Sequence, residues 1–248
     1  MGEIAMKVES INYTCAGLEF QSELVFDDTA SGPRPLLLMA PNWAGVTPRA
    51  IETGKELAAQ GYVVLVTDMH GLARRPTGQE NPMEFLKPLI ADPQSTRDRV
   101  NAGLDALTKA AAERKIGNAN LRAAIGYCFG GANVIDLARS GADVAAVVSM
   151  HGNLKSGMEA KAGDVKAQIL VVHGAADPIA PKGDRDAFEA EMNAAGARWT
   201  MLAFGGVVHS FTDPTANRPP SSQFSSQACR YGYAMAHMFI ADAFAGKN

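Results

Sequence analysis

The sequence predicts an α/β fold in which helices cover both faces of a doubly wound, mostly parallel sheet. Short, continuous apolar runs such as 36–39 and 62–67 are typical of parallel strands that are buried on both faces. Helical patterns alternate with these runs through most of the chain, as they do when each crossover carries a helix. With 248 residues the chain is long enough for one such domain, and we expect a single domain over 1–248.

The individual elements follow in chain order. Residues 18–26 are expected to form an antiparallel edge strand. The other expected strands are 36–39, 62–67, 121–127, 144–150, 168–173 and 198–204. The expected helices are 48–60, 96–112, 132–140, 184–195 and 225–245. Two long segments, 71–94 and 152–165, are predicted as loops at the carboxyl ends of strands, where loops usually shape a site.

Composition argues against several classes of function. The net charge of -3 and the isoelectric point near 6.0 provide no basic surface for nucleic acid and no reason to expect a membrane as partner. No apolar run is long enough to cross a bilayer, and the first ten residues lack the apolar core of a signal peptide. The three cysteines, Cys15, Cys128 and Cys229, form no CxxC pair. We therefore expect a cytoplasmic protein, because a free thiol persists in that compartment.

The strongest functional signal lies at residues 126–131, which read Gly-Tyr-Cys-Phe-Gly-Gly with Cys128 in third place. The segment follows an apolar strand, precedes a helix and matches the nucleophile elbow, with cysteine as the nucleophile. The sharp turn needs small flanking residues, and the dipole of the following helix stabilises a thiolate. The alternative interpretation is a buried structural cysteine beside a glycine-rich turn.

Two polar residues follow later strands in the order of an α/β-hydrolase triad, which is nucleophile, acid, histidine. Asp177 comes just beyond strand 168–173, and His209 lies in a loop after strand 198–204. We expect His209 to take the thiol proton and Asp177 to orient the imidazole and stabilise its charged form. Taken singly, Asp177 fits a turn before Pro178 and His209 fits a surface loop. Three residues in this order after three strands favour catalysis.

An oxyanion hole requires two N–H donors. The first is expected from Phe129, directly after the nucleophile. The second is expected from Asn42 or Trp43, in the loop after an early strand, because Pro41 has no N–H.

Metal and cofactor chemistry has no signal in the sequence. No histidine pair has a ligand spacing such as H-E-x-x-H, and there is neither a P-loop nor a GxGxxG motif that opens a strand–helix unit near the N-terminus. We expect no cofactor and no metal. His70 and His151 each follow a strand and are expected to line the substrate pocket instead.

The sequence resembles the dienelactone hydrolase family over residues 18–245. Residues 126–131 are similar to the family's G-Y-C-x-G-G, residues 209–211 are similar to its H-S-F, and Asp177 falls where its acid falls. The resemblance implies hydrolysis of carboxylic esters or lactones through a thioester acyl-enzyme, without a metal or organic cofactor. It also implies that the second oxyanion donor is the N–H of Trp43.

The resemblance implies substrate-binding positions as well. Dienelactone-cleaving members have a glutamate, thought to gate ionisation of the cysteine, where this chain has Asn42. They have an arginine shortly after H-S-F where it has Asp213, and a second arginine that corresponds to Arg74 or Arg75 and would hold a substrate carboxylate. The two departures argue against dienelactone itself as the substrate. The predicted substrate-binding residues are Asn42, His70, Arg74, Arg75, Tyr127, His151 and Phe211.

Three functions remain open from the sequence. The leading one is a hydrolase of small-molecule esters or lactones, monomeric or homodimeric, that uses Cys128, His209 and Asp177. Its activity would extend to activated phosphotriesters, since their P=O oxygen fits the same oxyanion hole. The second is a thiol peptidase or amidase. The third is a catalytically inactive binding module on the same fold, which would have no need for three intact groups.

Overall fold

A computed structural model describes residues 5–77 and 80–246 and divides the chain into two compact units, Met1–Ala124 and Ile125–Asn248. Each unit combines strands and helices. Strand β5 (Gly117–Tyr127) begins in the first unit and ends in the second.

The first unit is built on four strands in the order β1-β2-β4-β3. Strands β1 (Met6–Cys15) and β2 (Leu18–Asp27) form an antiparallel hairpin, and β2 also pairs antiparallel with β4 (Val63–Val66). Strand β3 (Arg34–Ala40) pairs parallel with β4. All four side chains of β4 are buried, as expected for a central strand that is covered on both faces.

Helices cover both faces of these strands. The first unit contains α1 (Pro48–Ala58), α2 (Pro82–Ala91) and α3 (Pro93–Glu113), and each begins with a proline behind a capping side chain. Gly54 of α1 lies against Val66, and Gly103 of α3 lies against Thr67. Successive residues of a strand point to opposite faces, so α1 and α3 lie on opposite sides of the strands.

The second unit alternates strand and helix around three parallel strands in the order β6-β7-β8. Its elements are α4 (Phe129–Arg139), β6 (Ala146–Met150), β7 (Gln168–Gly174), α5 (Lys182–Ala194), β8 (Trp199–Phe204), the short hairpin strands β9 (Asn217–Arg218) and β10 (Ser222–Gln223), and α6 (Ser226–Phe244). Strand β6 ends beside α4, and α6 packs against β6 and β7.

The structure confirms the mostly parallel α/β class and corrects three details of the prediction. Strand β2 is not an edge strand, because β1 pairs with its outer side. The side chains of β1 are exposed or half-buried, so its apolar pattern is weak. Segment 71–94 is not a plain loop, since it contains a 3-10 turn (Leu72–Arg74) and α2, which Asn81 caps. The β9–β10 hairpin is too short to have a periodic signal.

Candidate active site

Cys128 lies at a sharp turn between β5 and α4. Its φ of 54° and ψ of −116° are unfavourable for a residue with a side chain and are typical of a nucleophile elbow. A Cβ on Gly126 would collide with the carbonyl oxygen of Gly130, and one on Gly131 would lie 2.8 Å from the Cα of Gly152. Only glycine fits at Gly126 and Gly131, so these two residues permit the tight turn.

His209 joins Cys128 and Asp177 in one chain of hydrogen bonds. Its Nε2 lies 3.0 Å from Cys128 Sγ, and its Nδ1 lies 2.8 Å from Asp177 Oδ2. The second carboxylate oxygen, Oδ1, accepts a hydrogen bond of 2.8 Å from the N–H of Ile179, which fixes the orientation of the carboxylate. Asp177 and His209 are buried, whereas Cys128 is partly exposed. Solvent therefore reaches part of Cys128, whereas it is excluded from Asp177.

The partners of His209 determine its basicity. Burial by itself lowers the pKa of His209, but the hydrogen bonds to Asp177 and Cys128, with the negative charges of both groups, outweigh burial and raise the pKa to about 10. An imidazole with this pKa holds a proton at neutral pH. The arrangement can thus form a thiolate–imidazolium pair and can pass a proton between the sulfur and a leaving group.

A short hairpin holds the backbone of His209. Its N–H donates to the carbonyl of Ser221 over 3.3 Å, and its carbonyl accepts from the N–H of Gln223 over 3.0 Å. The next residue, Ser210, has a φ of 56°, which turns the chain away after the histidine. Ser221 and Gln223 are functional neighbours that the sequence analysis missed, because two-residue strands have no recognisable pattern.

Three predicted pocket residues lie near the triad in the second unit. The ring of His151 packs edge-on against His209, with 5.2 Å between the centroids. The hydroxyl of Tyr127 accepts a hydrogen bond of 3.0 Å from Tyr233 of α6, and its ring packs 6.3 Å from that of His151. Phe211 is fully buried and packs against His151, so its surroundings support a packing role rather than the predicted contact with substrate.

Phe129, the predicted first oxyanion donor, is the first residue of α4 in the second unit. The remaining predicted residues lie in the first unit, beyond the ends of β3 and β4. Asn42 caps its own loop, because its Oδ1 accepts a hydrogen bond of 3.0 Å from the N–H of Ala44. The carbonyl of Trp43 lies 2.7 Å from Nε2 of His70. His70 is buried and its pKa is lowered, chiefly by burial. This histidine holds the loop that carries the predicted oxyanion donor.

The structure separates Arg74 from Arg75. Arg75 forms an ion pair with the buried carboxylate of Asp68 at 3.2 Å and also donates to the carbonyl of Gln21. Arg74 is exposed, and its side chain forms no hydrogen bond or ion pair with the residues that the structure describes. It borders a cavity of about 210 Å³. The other lining residues are His70, Phe85, Pro88, Leu89, Asp92, Ser95 and Arg99. Of the two arginines, Arg74 is available to a ligand.

Across residues 5–77 and 80–246, no three histidine, cysteine, aspartate or glutamate side chains group closely enough to hold a metal ion. Within the same residues, no helix is both long and apolar enough to cross a membrane.

Comparison with known proteins now identifies the family. The sequence matches the dienelactone hydrolase family over residues 22–241. The chain belongs to this family. As a member of this family, the chain is a hydrolase that acts on ester bonds. The match also confirms the resemblance to the dienelactone hydrolase family that the sequence motifs indicated.

Similar proteins support the same assignment. P91, described as a dienelactone hydrolase-like promiscuous phosphotriesterase from metagenomic libraries, is 33% identical, and the match covers 95% of this chain and 98% of P91 with a TM-score of 0.86. The structure named m3DLH is 31% identical over 97% of this chain and 99% of its own, with a TM-score of 0.87. An uncharacterised protein of Caenorhabditis elegans, K02A2.1, is 33% identical over 60% of this chain and 94% of its own length. The family and these structures confirm the α/β-hydrolase fold class.

Proposed function

We propose that this chain hydrolyses small carboxylic esters or lactones through a Cys128–His209–Asp177 triad and a covalent acyl-enzyme. The observation that carries the proposal is the continuous chain of hydrogen bonds, 3.0 Å from Cys128 Sγ to His209 and 2.8 Å from His209 to Asp177. The strained backbone of Cys128 presents the sulfur at the start of α4, where the helix dipole favours negative charge. The Cys128–His209–Asp177 group has the parts that acyl transfer requires.

Acylation follows from this geometry. The thiolate of Cys128 attacks the carbonyl carbon, and the negative charge moves to the carbonyl oxygen. The N–H of Phe129, the first residue of α4, stabilises that oxyanion, and the N–H of Trp43 stays the predicted second donor. His209 gives its proton to the leaving alkoxide as the tetrahedral intermediate collapses, which leaves a thioester on Cys128 and a neutral imidazole.

Deacylation reverses the roles. Neutral His209 removes a proton from water as the water oxygen attacks the thioester carbon. Collapse of the second intermediate breaks the C–S bond and releases the carboxylic acid. The thiolate and the imidazolium are then restored, and Asp177 has held the imidazole in one orientation throughout.

Phosphotriesters with good leaving groups are a second class of substrate. Attack by the same thiolate on phosphorus expels an aryloxide, while the P=O oxygen occupies the oxyanion hole. The 33% identity to P91, whose description includes promiscuous phosphotriesterase, supports this extension. We expect water to release the phosphorylated cysteine slowly, so a burst of one leaving group per site should precede any turnover.

The proposal includes the sequence-based predictions of domain extent, oligomeric state, location and pocket residues. The chain acts on a small molecule as one hydrolase domain over residues 1–248, as a monomer or homodimer. A cytoplasmic location stays a prediction from the free thiols. His70, Tyr127 and His151 stay predicted pocket residues.

Replacement of the nucleophile tests the proposal. Cys128→Ala should lower kcat for a p-nitrophenyl ester by ~10³-fold or more, as loss of a covalent nucleophile does. Cys15→Ala is the matched control, because it removes a free thiol from β1 in the first unit by the same substitution. An acyl group should be found on Cys128 by mass spectrometry after rapid quenching.

Three results would contradict the proposal. Cys128→Ala with most of the wild-type esterase rate would remove the nucleophile from the mechanism. Faster cleavage of a matched p-nitroanilide than of the ester would favour a thiol peptidase or amidase instead. Slow covalent labelling of Cys128 without any turnover would favour the binding module.

A further inference from the structure

His151 has a geometry that the proposed mechanism does not use. It directly follows β6 and has a φ of 42°, which is unfavourable for a residue with a side chain. Its N–H donates to the carbonyl of Val172 on β7 over 2.8 Å. The side chain is buried, and its Nδ1 makes no hydrogen bond to another described residue. A strained, buried histidine that packs against His209 and has one ring nitrogen without a hydrogen bond requires a physical explanation.

The imidazole of His151 is tied to the loop that carries His209. Its Nε2 lies 2.7 Å from the hydroxyl oxygen of Thr212, three residues beyond His209. Both groups are buried, so the hydrogen bond is shielded from water. The ring of His151 also meets the ring of His209 edge-on, at 5.2 Å between centroids and an interplanar angle of 70°. These contacts restrict both the loop and the ring of His209.

The residue before His151 reaches the nucleophile. The carbonyl of Met150 accepts a hydrogen bond of 3.0 Å from the N–H of Cys128. The dipeptide Met150–His151 therefore contacts the backbone of the nucleophile through one residue and the side chain of the base through the next. Cys128 and His209 come from different parts of the chain, and this dipeptide links them.

The charge of His151 suits this place. Burial lowers the pKa of His151 well below its usual value, and the positive charge of nearby His209 lowers it further. A neutral ring does not oppose the imidazolium of His209. The ring of Phe211 packs edge-on against His151 at 5.0 Å between centroids, and no carboxylate forms a hydrogen bond with His151 within the described residues.

We infer that His151, held by the Thr212 hydroxyl, is a positioning residue that keeps His209 Nε2 in line with Cys128 Sγ. The inference rests on the proposed function, because it assigns His151 to the same triad. The role differs from that of a pocket-lining residue, because alignment of His209 would need the hydroxyl of Thr212 as much as the ring of His151. A ring that only fills space would leave the Thr212 hydroxyl without effect on the thiol.

The test removes one hydroxyl and preserves shape. Thr212→Val should lower kcat about tenfold with little change in KM, because a misplacement of ~1 Å at a reacting group can cost ~10²-fold. Thr212→Ser keeps the hydroxyl and should have a kcat close to that of the wild type. Thr215→Val is the control, since Thr215 is an exposed threonine of the same loop whose hydroxyl bonds to Asp213. It should behave as the wild type does.

A second readout distinguishes positioning from stability. The rate of Cys128 alkylation by iodoacetamide is measured against pH in Thr212→Val, Thr212→Ser and His151→Phe, each first shown by circular dichroism to be folded. Thr212→Val and His151→Phe should move the midpoint of the alkylation profile to higher pH, because a misaligned imidazolium stabilises the thiolate less. Thr212→Ser should keep the wild-type midpoint.

The outcomes separate this inference from the proposed function. Full esterase activity in Cys128→Ala would overturn the function, while the alkylation profiles would still report the alignment of thiol and imidazole. Loss of activity in Cys128→Ala, together with wild-type kcat and midpoint in Thr212→Val, would overturn the role of His151 alone. A lowered melting temperature without a shift in midpoint would also overturn it.

Discussion

Two buried aspartates, Asp68 in the first unit and Asp177 in the second, lie in nearly the same local setting and have different partners. Each lies just beyond a buried strand, and Oδ1 of each accepts from the N–H two residues on, over 2.9 Å for Asp68 and 2.8 Å for Asp177. Their Oδ2 atoms differ. Oδ2 of Asp68 pairs with Arg75, whereas Oδ2 of Asp177 pairs with His209.

The partner decides what each carboxylate can do. A guanidinium keeps its charge at every accessible pH, so the Asp68–Arg75 pair is static and fixes a loop. An imidazole can lose and regain a proton during a reaction, so the charge of the Asp177–His209 pair can change as the reaction proceeds. Burial and position after a strand do not distinguish the two carboxylates.

The largest expected effect is the loss of activity on replacing Asp177, compared with the same replacement of Asp68. Asp177→Asn should lower kcat by ~10³–10⁴-fold, since an amide neither stabilises the imidazolium nor selects the same tautomer. Asp68→Asn should leave kcat per folded molecule near the wild-type value. Steady-state kinetics give kcat for both variants, and circular dichroism gives the folded fraction by which each kcat is divided. Equal losses of kcat in the two variants would refute the distinction.

The pH response of His209 sharpens the same comparison. Its pKa of about 10 in the folded chain lies above the ~6.5 of an unfolded histidine. Its protonation thus contributes to stability fully below about pH 6.5, and the contribution is lost as the pH rises through about 10. The free energy of unfolding should fall over that interval in the wild type and fall less in His209→Gln.

Nuclear magnetic resonance titration of the imidazole provides the direct measurement. The pKa of His209 should fall in Asp177→Asn and in Cys128→Ala, since each variant removes a group that raises it. Asp68→Asn should leave it unchanged. An unaltered pKa in Asp177→Asn would show that the carboxylate does not control the base.

A smaller effect is expected at the arginine of the static pair. Arg75→Ala leaves the buried carboxylate of Asp68 without its charged partner and should destabilise the fold by ~1–3 kcal/mol. The remaining hydrogen bonds from His70 and Gly71 limit the loss. Arg49→Ala, which removes an exposed arginine paired with Glu56, should change stability by less than ~0.5 kcal/mol. Urea unfolding of both variants measures the difference, and equal stabilities would contradict it.

Sequence reasoning reached most of the second unit because its signals are local. The elbow at 126–131 requires small residues at fixed offsets from Cys128, and each strand there is a compact apolar run. Asp177 and His209 were identifiable because each follows such a strand. Their 2.8 Å hydrogen bond joins residues 32 apart in the chain, and only the fold brings them together.

What the sequence could not provide depends on partners distant in the chain. Arg74 and Arg75 are adjacent, and no local pattern says which of them pairs with Asp68. The tie between His151 and Thr212 spans 61 residues. Helix α2 was not predicted because it contains Pro88, which is unfavourable inside a helix, and because Pro76 and Pro93 flank it.

The smallest expected effect concerns Arg74, the arginine that Asp68 does not engage. If Arg74 holds a substrate carboxylate, as the family resemblance implies, that carboxylate gains a charge-assisted hydrogen bond. Arg74→Ala should then raise KM about threefold to tenfold for an ester of a dicarboxylic acid, since an exposed ion pair contributes ~0.2–1 kcal/mol and a hydrogen bond to a charged group somewhat more. The neutral ester of the same chain length should keep its KM.

Arg49→Ala lowers the net charge equally and controls for long-range attraction, so it should alter neither KM at moderate salt. A parallel rise for charged and neutral esters would mean that Arg74 shapes the cavity without selecting charge.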